Sequence, residues 1–130
     1  MDNINTITIS TALDELREQK ISSEDLAQAC SGQIKRLNSK LNAFITVIDP
    51  VQFPNNTSSS SALRGIPIAV KDLFDTAGIR TTAGSKFFAD NIPEQDAFVI
   101  AKLKQAGAAL MGKTNTHEIA LGVTDRKSVV

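Results

Sequence analysis

The chain has 130 residues, 42% of them hydrophobic, and its 14 basic and 14 acidic side chains give a formal net charge of zero. That balance leaves no excess of Lys or Arg to neutralise phosphates, which argues against a dedicated nucleic-acid binder, and no run approaches the roughly 18 apolar residues of a membrane span. Cys30 and His117 are the only thiol and imidazole, too few for a Cys/His zinc site or a disulfide framework, and the start Met1-Asp2-Asn3-Ile4-Asn5 lacks the basic and apolar regions of a secretory signal.

These features lead us to expect a cytoplasmic protein that uses no metal and no cofactor and meets neither nucleic acid nor membrane. In chain order, Ile7 and Ile9 lead into Ser10 and Thr11, and Leu13, Leu16 and Ile21 then predict a short helix ending near Gln19 or Lys20. Ser22-Ser23-Glu24-Asp25 supplies capping hydroxyls and acidic side chains, and Leu26, Cys30, Ile34, Leu37 and Leu41 follow at helical spacing. A helix from Ser23 to about Leu41 is predicted, with Cys30 on its apolar face as a small buried hydrophobe rather than a reactive thiol.

Ala43-Phe44-Ile45-Thr46-Val47-Ile48 is β-branched and aromatic, which predicts a strand that Asp49-Pro50 should stop. The polar run from Gln52 to Ser61 has too few apolar side chains to offset its ordering entropy, so residues 53–62 are expected to form a mobile loop. Ile66-Pro67-Ile68-Ala69-Val70 has the continuous apolar character of a strand buried on both faces, ending at Lys71-Asp72. The passage from Thr76 to Ser85 is rich in Thr and Gly and reads as irregular, with Gly78 and Gly84 available for positive φ. Asp96 is placed to cap a third helix through Phe98, Ile100, Leu103 and Ala106; Gly107 suits its C-terminus, and Ala108-Ala109-Leu110-Met111 a short buried strand. This alternation predicts an α/β fold.

Gly107-Ala-Ala-Leu-Met-Gly112-Lys113-Thr114 satisfies the P-loop expression letter for letter. A P-loop, however, needs a strand before its first Gly and free amides inside the loop; here a helix precedes it and the interior is itself strand-like. Lys71 is the better candidate, because a lysine after a buried strand stands at the carboxyl end of an α/β sheet, where ligand crevices form. Partial desolvation there would lower its pKa and let it take a proton from a hydroxyl nucleophile. The plainer reading of the same residue is an ammonium reaching solvent or pairing with Asp72 or Asp75. His117 and Glu118 follow a turn-like Thr114-Asn115-Thr116 and read as a local cap or surface contact, and no Gly-x-Ser-x-Gly elbow occurs.

Leu63-Arg64-Gly65-Ile66-Pro67-Ile68-Ala69-Val70-Lys71-Asp72, continuing through Gly78 to Ser85, resembles the first block of the amidase signature family. The likeness continues through Asp96-Ala97, the following helix, and Gly112-Lys113-Thr114-Asn115-Thr116-His117-Glu118. The resemblance implies N-terminal helices plus part of a large mixed sheet, and hydrolysis of carbon–nitrogen amide bonds through a Ser-cisSer-Lys triad in a parent acting on a small-molecule amide. Lys71 matches the catalytic lysine of that triad, and Ser85 matches a family position that is not catalytic. The family's Gly-Gly-Ser-Ser-Gly-Gly-Ser-like block, which carries both serines and the oxyanion hole, is not in this sequence, so the isolated chain is expected to be inactive. Two alternatives stand beside this reading. One is a fragment of the A-type subunit of the glutamine-hydrolysing amidotransferase used in tRNA transamidation, from which Thr114-Asn115-Thr116-His117-Glu118 departs; the other is a non-catalytic interaction module. The family-like region is expected to span residues 1–124. Residues 125–130 do not resemble the family and match the translation of a common sequencing adapter, so they are expected to be an artefactual tail.

Overall fold

The computed structural model describes residues 4–55 and 60–122. Helix α1 (Ile9–Arg17) starts where the Thr8 hydroxyl accepts from the Thr11 amide, and it buries Ala12 and Leu16. Helix α2 (Ser23–Leu41) has the predicted boundaries. Its N-terminus is a reciprocal capping box: the Ser22 hydroxyl accepts from the Asp25 amide at 3.0 Å and the Asp25 carboxylate from the Ser22 amide at 2.9 Å. Asn42, left-handed at φ 49°, closes the other end.

Three strands follow, β1 (Phe44–Gln52), β2 (Pro67–Lys71) and β3 (Ala109–Thr114), in the spatial order β1-β3-β2. β3 runs antiparallel to β1 and parallel to β2, and helix α3 (Phe98–Gln105) lies on the crossover between β2 and β3. The α/β expectation and the mixed sheet therefore hold.

β1 does not stop at Asp49-Pro50 as expected but continues to Gln52, with the Asp49–Pro50 peptide cis. β1 pairs along one edge only, and its register with β3 is broken between Val47 and Gln52, so the missing Pro50 donor interrupts no regular ladder. β2 also departs from expectation. Val70 packs inward, but Ala69 and Lys71 are exposed; the strand buried on both faces is β3, five of whose six residues are buried. An apolar run signals burial without saying which strand is central, and β3 is the one with a neighbour on each side.

Two apolar clusters form the core. Ile48, Val70, Ile79, Ile100 and Leu110 pack around the sheet and α3, while Ala12, Leu16, Leu26 and Ile66 join α1 and α2 to the chain just before β2. Cys30 is half-buried beside a cleft of about 400 Å³ between the helices and the sheet, and burial pushes its thiol pKa up, in keeping with a small hydrophobe. Phe87 and Phe98 remain 88% and 79% exposed.

α3 begins without a side-chain cap. Asp96 lies one position before the N-cap Ala97, and its Oδ1 accepts instead from the Ala77 amide at 2.8 Å and from Lys104 Nζ at 2.7 Å, clamping a loop to the helix's last turn. Gly107 follows the helix at φ +92°, where a Cβ would stand 2.9 Å from that of Ser61. The expected loop at 53–62 lies partly outside the described residues, and the 125–130 tail wholly so. No helix among the described residues is long and apolar enough to cross a membrane.

Candidate active site at the end of strand β2

The parallel register sets Val70 beside Lys113 and Lys71 beside Thr114. Consecutive strand side chains point to opposite faces, so the dipeptide Lys71-Asp72 divides: Lys71 is exposed and Asp72 is 0% exposed. The Asp72 amide donates to the Thr114 carbonyl at 3.0 Å, and its own carbonyl accepts from the Ala83 amide at 2.8 Å. Its Oδ2 accepts from the Thr82 amide at 2.9 Å and the Thr82 hydroxyl at 2.5 Å. One residue thus anchors both ends of the loop that leaves β2.

Inside that loop lies the ammonium of Lys113, whose side chain is 1% exposed. Its Nζ donates to the Phe74 carbonyl at 2.6 Å, to Thr81 Oγ1 at 2.6 Å and to Thr76 Oγ1 at 3.1 Å. The two threonines are free to accept because each donates its own proton onward, Thr76 to the Phe74 carbonyl and Thr81 to the Ile79 carbonyl. An ammonium has three N–H donors, and these three acceptors use them all. Asp72 Oδ1, which has no hydrogen-bond partner among the described residues, stands 3.8 Å from Nζ and supplies the opposing charge. Burial lowers the Lys113 pKa, and the charges of Asp72 and Asp75 pull it back up.

Lys71 differs in every respect. No described side chain binds its Nζ, and its carbonyl accepts from the Phe74 amide at 3.1 Å. The desolvation expected at Lys71 is found at Lys113, and the partnership expected with Asp72 is excluded because that carboxylate turns the opposite way. Lys113 received no role from the sequence beyond its place in the rejected P-loop match. The one signal in the sequence is weak: Asp72, Thr76 and Thr81, which surround its ammonium, stand within ten residues of one another just after the apolar run of β2.

The P-loop match fails structurally as well, since residues 109–114 form a strand paired on both sides and Lys113 faces protein oxygens. Ser85 is buried; it donates to Glu118 Oε1 at 2.7 Å and caps the 3-10 turn Lys86–Phe88. Glu118 is therefore committed to Ser85. The His117 ring nitrogen Nε2 is buried with no hydrogen-bond partner among the described residues. The loops carrying these residues approach closely at Gly84, φ +66°, where a Cβ would meet the Thr116 carbonyl oxygen at 2.8 Å. Among the described residues no three His, Cys, Asp or Glu side chains gather as a metal site would require.

The Amidase family model matches residues 25–130, a span that includes β2, the polar loop, α3 and β3. The chain belongs to the Amidase family. It is 41% identical over 128 residues to the A-type subunit of glutamyl-tRNA(Gln) amidotransferase from Lactobacillus acidophilus, covering 98% of this chain and 26% of that one. The corresponding protein of Hahella chejuensis is 37% identical over 129 residues, covering 93% of this chain and 27% of that one. Among solved structures, the same kind of amidotransferase subunit from Thermotoga maritima superposes with a TM-score of 0.76 at 34% identity, covering 94% of this chain and 25% of that one. Peptide amidase of Stenotrophomonas maltophilia superposes with a TM-score of 0.71 at 26% identity, over 87% and 25%. The chain thus spans about a quarter of the length of these relatives. The amidase signature resemblance and the expected fold, a part of that larger sheet, are borne out.

Proposed function

We propose that this segment supplies the lysine of a Ser-cisSer-Lys centre that cleaves carbon–nitrogen amide bonds, with Lys71 as the base. The observation that carries the reading is the contrast between the lysines: at the carboxyl end of β2, inside the family-matched span, Lys71 is exposed with an ammonium that no described group holds. In its neutral form Lys71 takes a proton from a bridging serine, which takes one from the nucleophilic serine as that attacks the amide carbonyl. The acyl-enzyme forms and the amine leaves with a proton. Both serines and the oxyanion donors come from outside this sequence, so the 130-residue chain by itself is inactive.

A second reading concerns the amide. The names of these relatives favour one component of an amidotransferase that works with glutamyl-tRNA(Gln), and the family resemblance adds that such a component releases ammonia from glutamine. The passage Thr114-Asn115-Thr116-His117-Glu118 favours a small-molecule amidase. The test is a polypeptide joining residues 1–122 to the remaining three-quarters of the Thermotoga maritima protein, assayed on glutamine and on a simple carboxamide. Lys71→Ala should lower kcat by about 10²–10⁴-fold, and an unchanged rate overturns the assignment. Turnover by the isolated chain that Lys71→Ala abolishes would overturn the need for the absent serines.

A further inference from the structure

Because Lys71 has no described side-chain partner, the placement of its amine rests on the backbone that carries it. That backbone is held from one side by the β2–β3 ladder and from the other by the turn in which the Phe74 amide donates to the Lys71 carbonyl at 3.1 Å. The same Phe74 carries, on its carbonyl, the 2.6 Å bond from Lys113 Nζ. Two bonds therefore connect the buried ammonium to the exposed lysine through one residue. A second link runs through Asp72, peptide-bonded to Lys71, whose buried carboxylate lies 3.8 Å from the same ammonium. The loop from Asp72 to Ala83 has only Ile79 as a buried apolar side chain, so the cation takes the place of an apolar core.

We propose that Lys113 is a positioning residue for Lys71: its ammonium, enclosed by the Phe74 carbonyl, Thr76, Thr81 and Asp72, fixes the turn that carries the catalytic lysine. This rests on the reading of Lys71 as the base. It adds that the second lysine acts through its charge and three donors, not through its volume, and that it touches no substrate. An ammonium held by a carbonyl, two hydroxyls and a carboxylate cannot be replaced by an apolar chain of the same length, because both hydroxyl oxygens would lose their donor, the Phe74 carbonyl would keep only its bond from Thr76, and the Asp72 charge would lose its counter-charge.

Amide hydrogen exchange of the 130-residue chain tests the positioning, and steady-state kinetics of the joined polypeptide test its catalytic consequence. Thr81→Val removes one acceptor with little change of shape. It should speed exchange of the Phe74 and Ala83 amides about tenfold and leave those of Ala27 and Ile34 in α2 unchanged. Lys113→Met should speed the same two amides further. Lys113→Cys, alkylated with 2-bromoethylamine on a Cys30→Ser background to restore an ammonium at equal reach, should return them to the wild-type rates. In the joined polypeptide, Thr81→Val should lower kcat by about ten- to hundredfold with KM within about twofold. Unchanged Phe74 exchange in Thr81→Val, or equal acceleration in α2 and the loop, overturns the positioning. Equal behaviour of Lys113→Met and the aminoethylated protein overturns the role of charge. If Lys71→Ala leaves the turnover of the joined polypeptide unchanged while the exchange pattern holds, it is the assignment of Lys71 as base that has failed, and the proposal falls with it.

Discussion

Under α1 and α2, Ala12, Leu16 and Leu26 exclude water against Ile66; further along the chain, the loop from Asp72 to Ala83 closes around an ammonium, a carboxylate and hydroxyls with equally little exposure. Both regions are buried, but the rules of burial differ. The apolar cluster depends on area and shape, is non-directional, and accepts substitutions that conserve volume. The polar loop depends on each donor meeting one acceptor in a low dielectric, where a single missing partner strands the others. A region fixed by directional bonds holds a backbone turn more sharply than one fixed by contact, and the polar loop is the one that adjoins Lys71.

Lys113→Met breaks the comparison most severely. It leaves Asp72 as a buried charge without its counter-charge and the two threonine oxygens without a donor, so about 3–5 kcal/mol of stability should be lost. Urea unfolding would measure it, and a loss below that of a buried leucine truncation would show that the pair is dispensable. Leu26→Ala, the matching change in the apolar cluster, should cost about 2–3 kcal/mol. That is the lower part of the usual range, because Leu26 already borders the cleft between helices and sheet and its neighbours can relax into it. A Leu26→Met change should cost less than about 1.5 kcal/mol, whereas no equally mild replacement exists for Lys113.

The same division explains what the sequence made legible. Helix α2 was readable to both ends because periodic apolar residues and a capping box act within a few residues of each other. The two strands and the helix between them were legible from their apolar runs, though not that the strands pair, and the motif around Lys71 pointed to the end of β2. Pro50 misled because its cost depends on whether a partner strand needs that donor, which only the register reveals. Asp96 was one residue from the position where it would cap, and its partners Ala77 and Lys104 are 19 and 8 positions away. Lys113 was hardest: its acceptors lie 32 to 39 positions earlier, and a charge at the end of an apolar run looks like a surface residue until the loop folds over it.

Asp96 and Lys104 offer the milder form of the polar arrangement and sharpen the contrast by its dependence on pH. Their side chains are 18% and 28% exposed, so water screens part of the interaction. Burial would raise the Asp96 pKa, but the bonds from Lys104 and the Ala77 amide and the Lys104 charge outweigh it, and the net direction is downward from the ordinary value of 3.8. With the folded pKa below the unfolded one, the unfolded chain binds more protons in the interval between them, and stability rises with pH there. The contribution is fully present above the unfolded value and fades as pH falls through the folded value. Asp96→Asn should therefore cost under about 1 kcal/mol at neutral pH, with the gap between mutant and wild type closing in acid below 3.8. Added salt should narrow the gap at neutral pH, because this pair is partly wet, yet leave the loss in Lys113→Met nearly unchanged. A gap that persisted in acid would mean that Asp96 acts through its shape, as Leu26 does, and not through its charge.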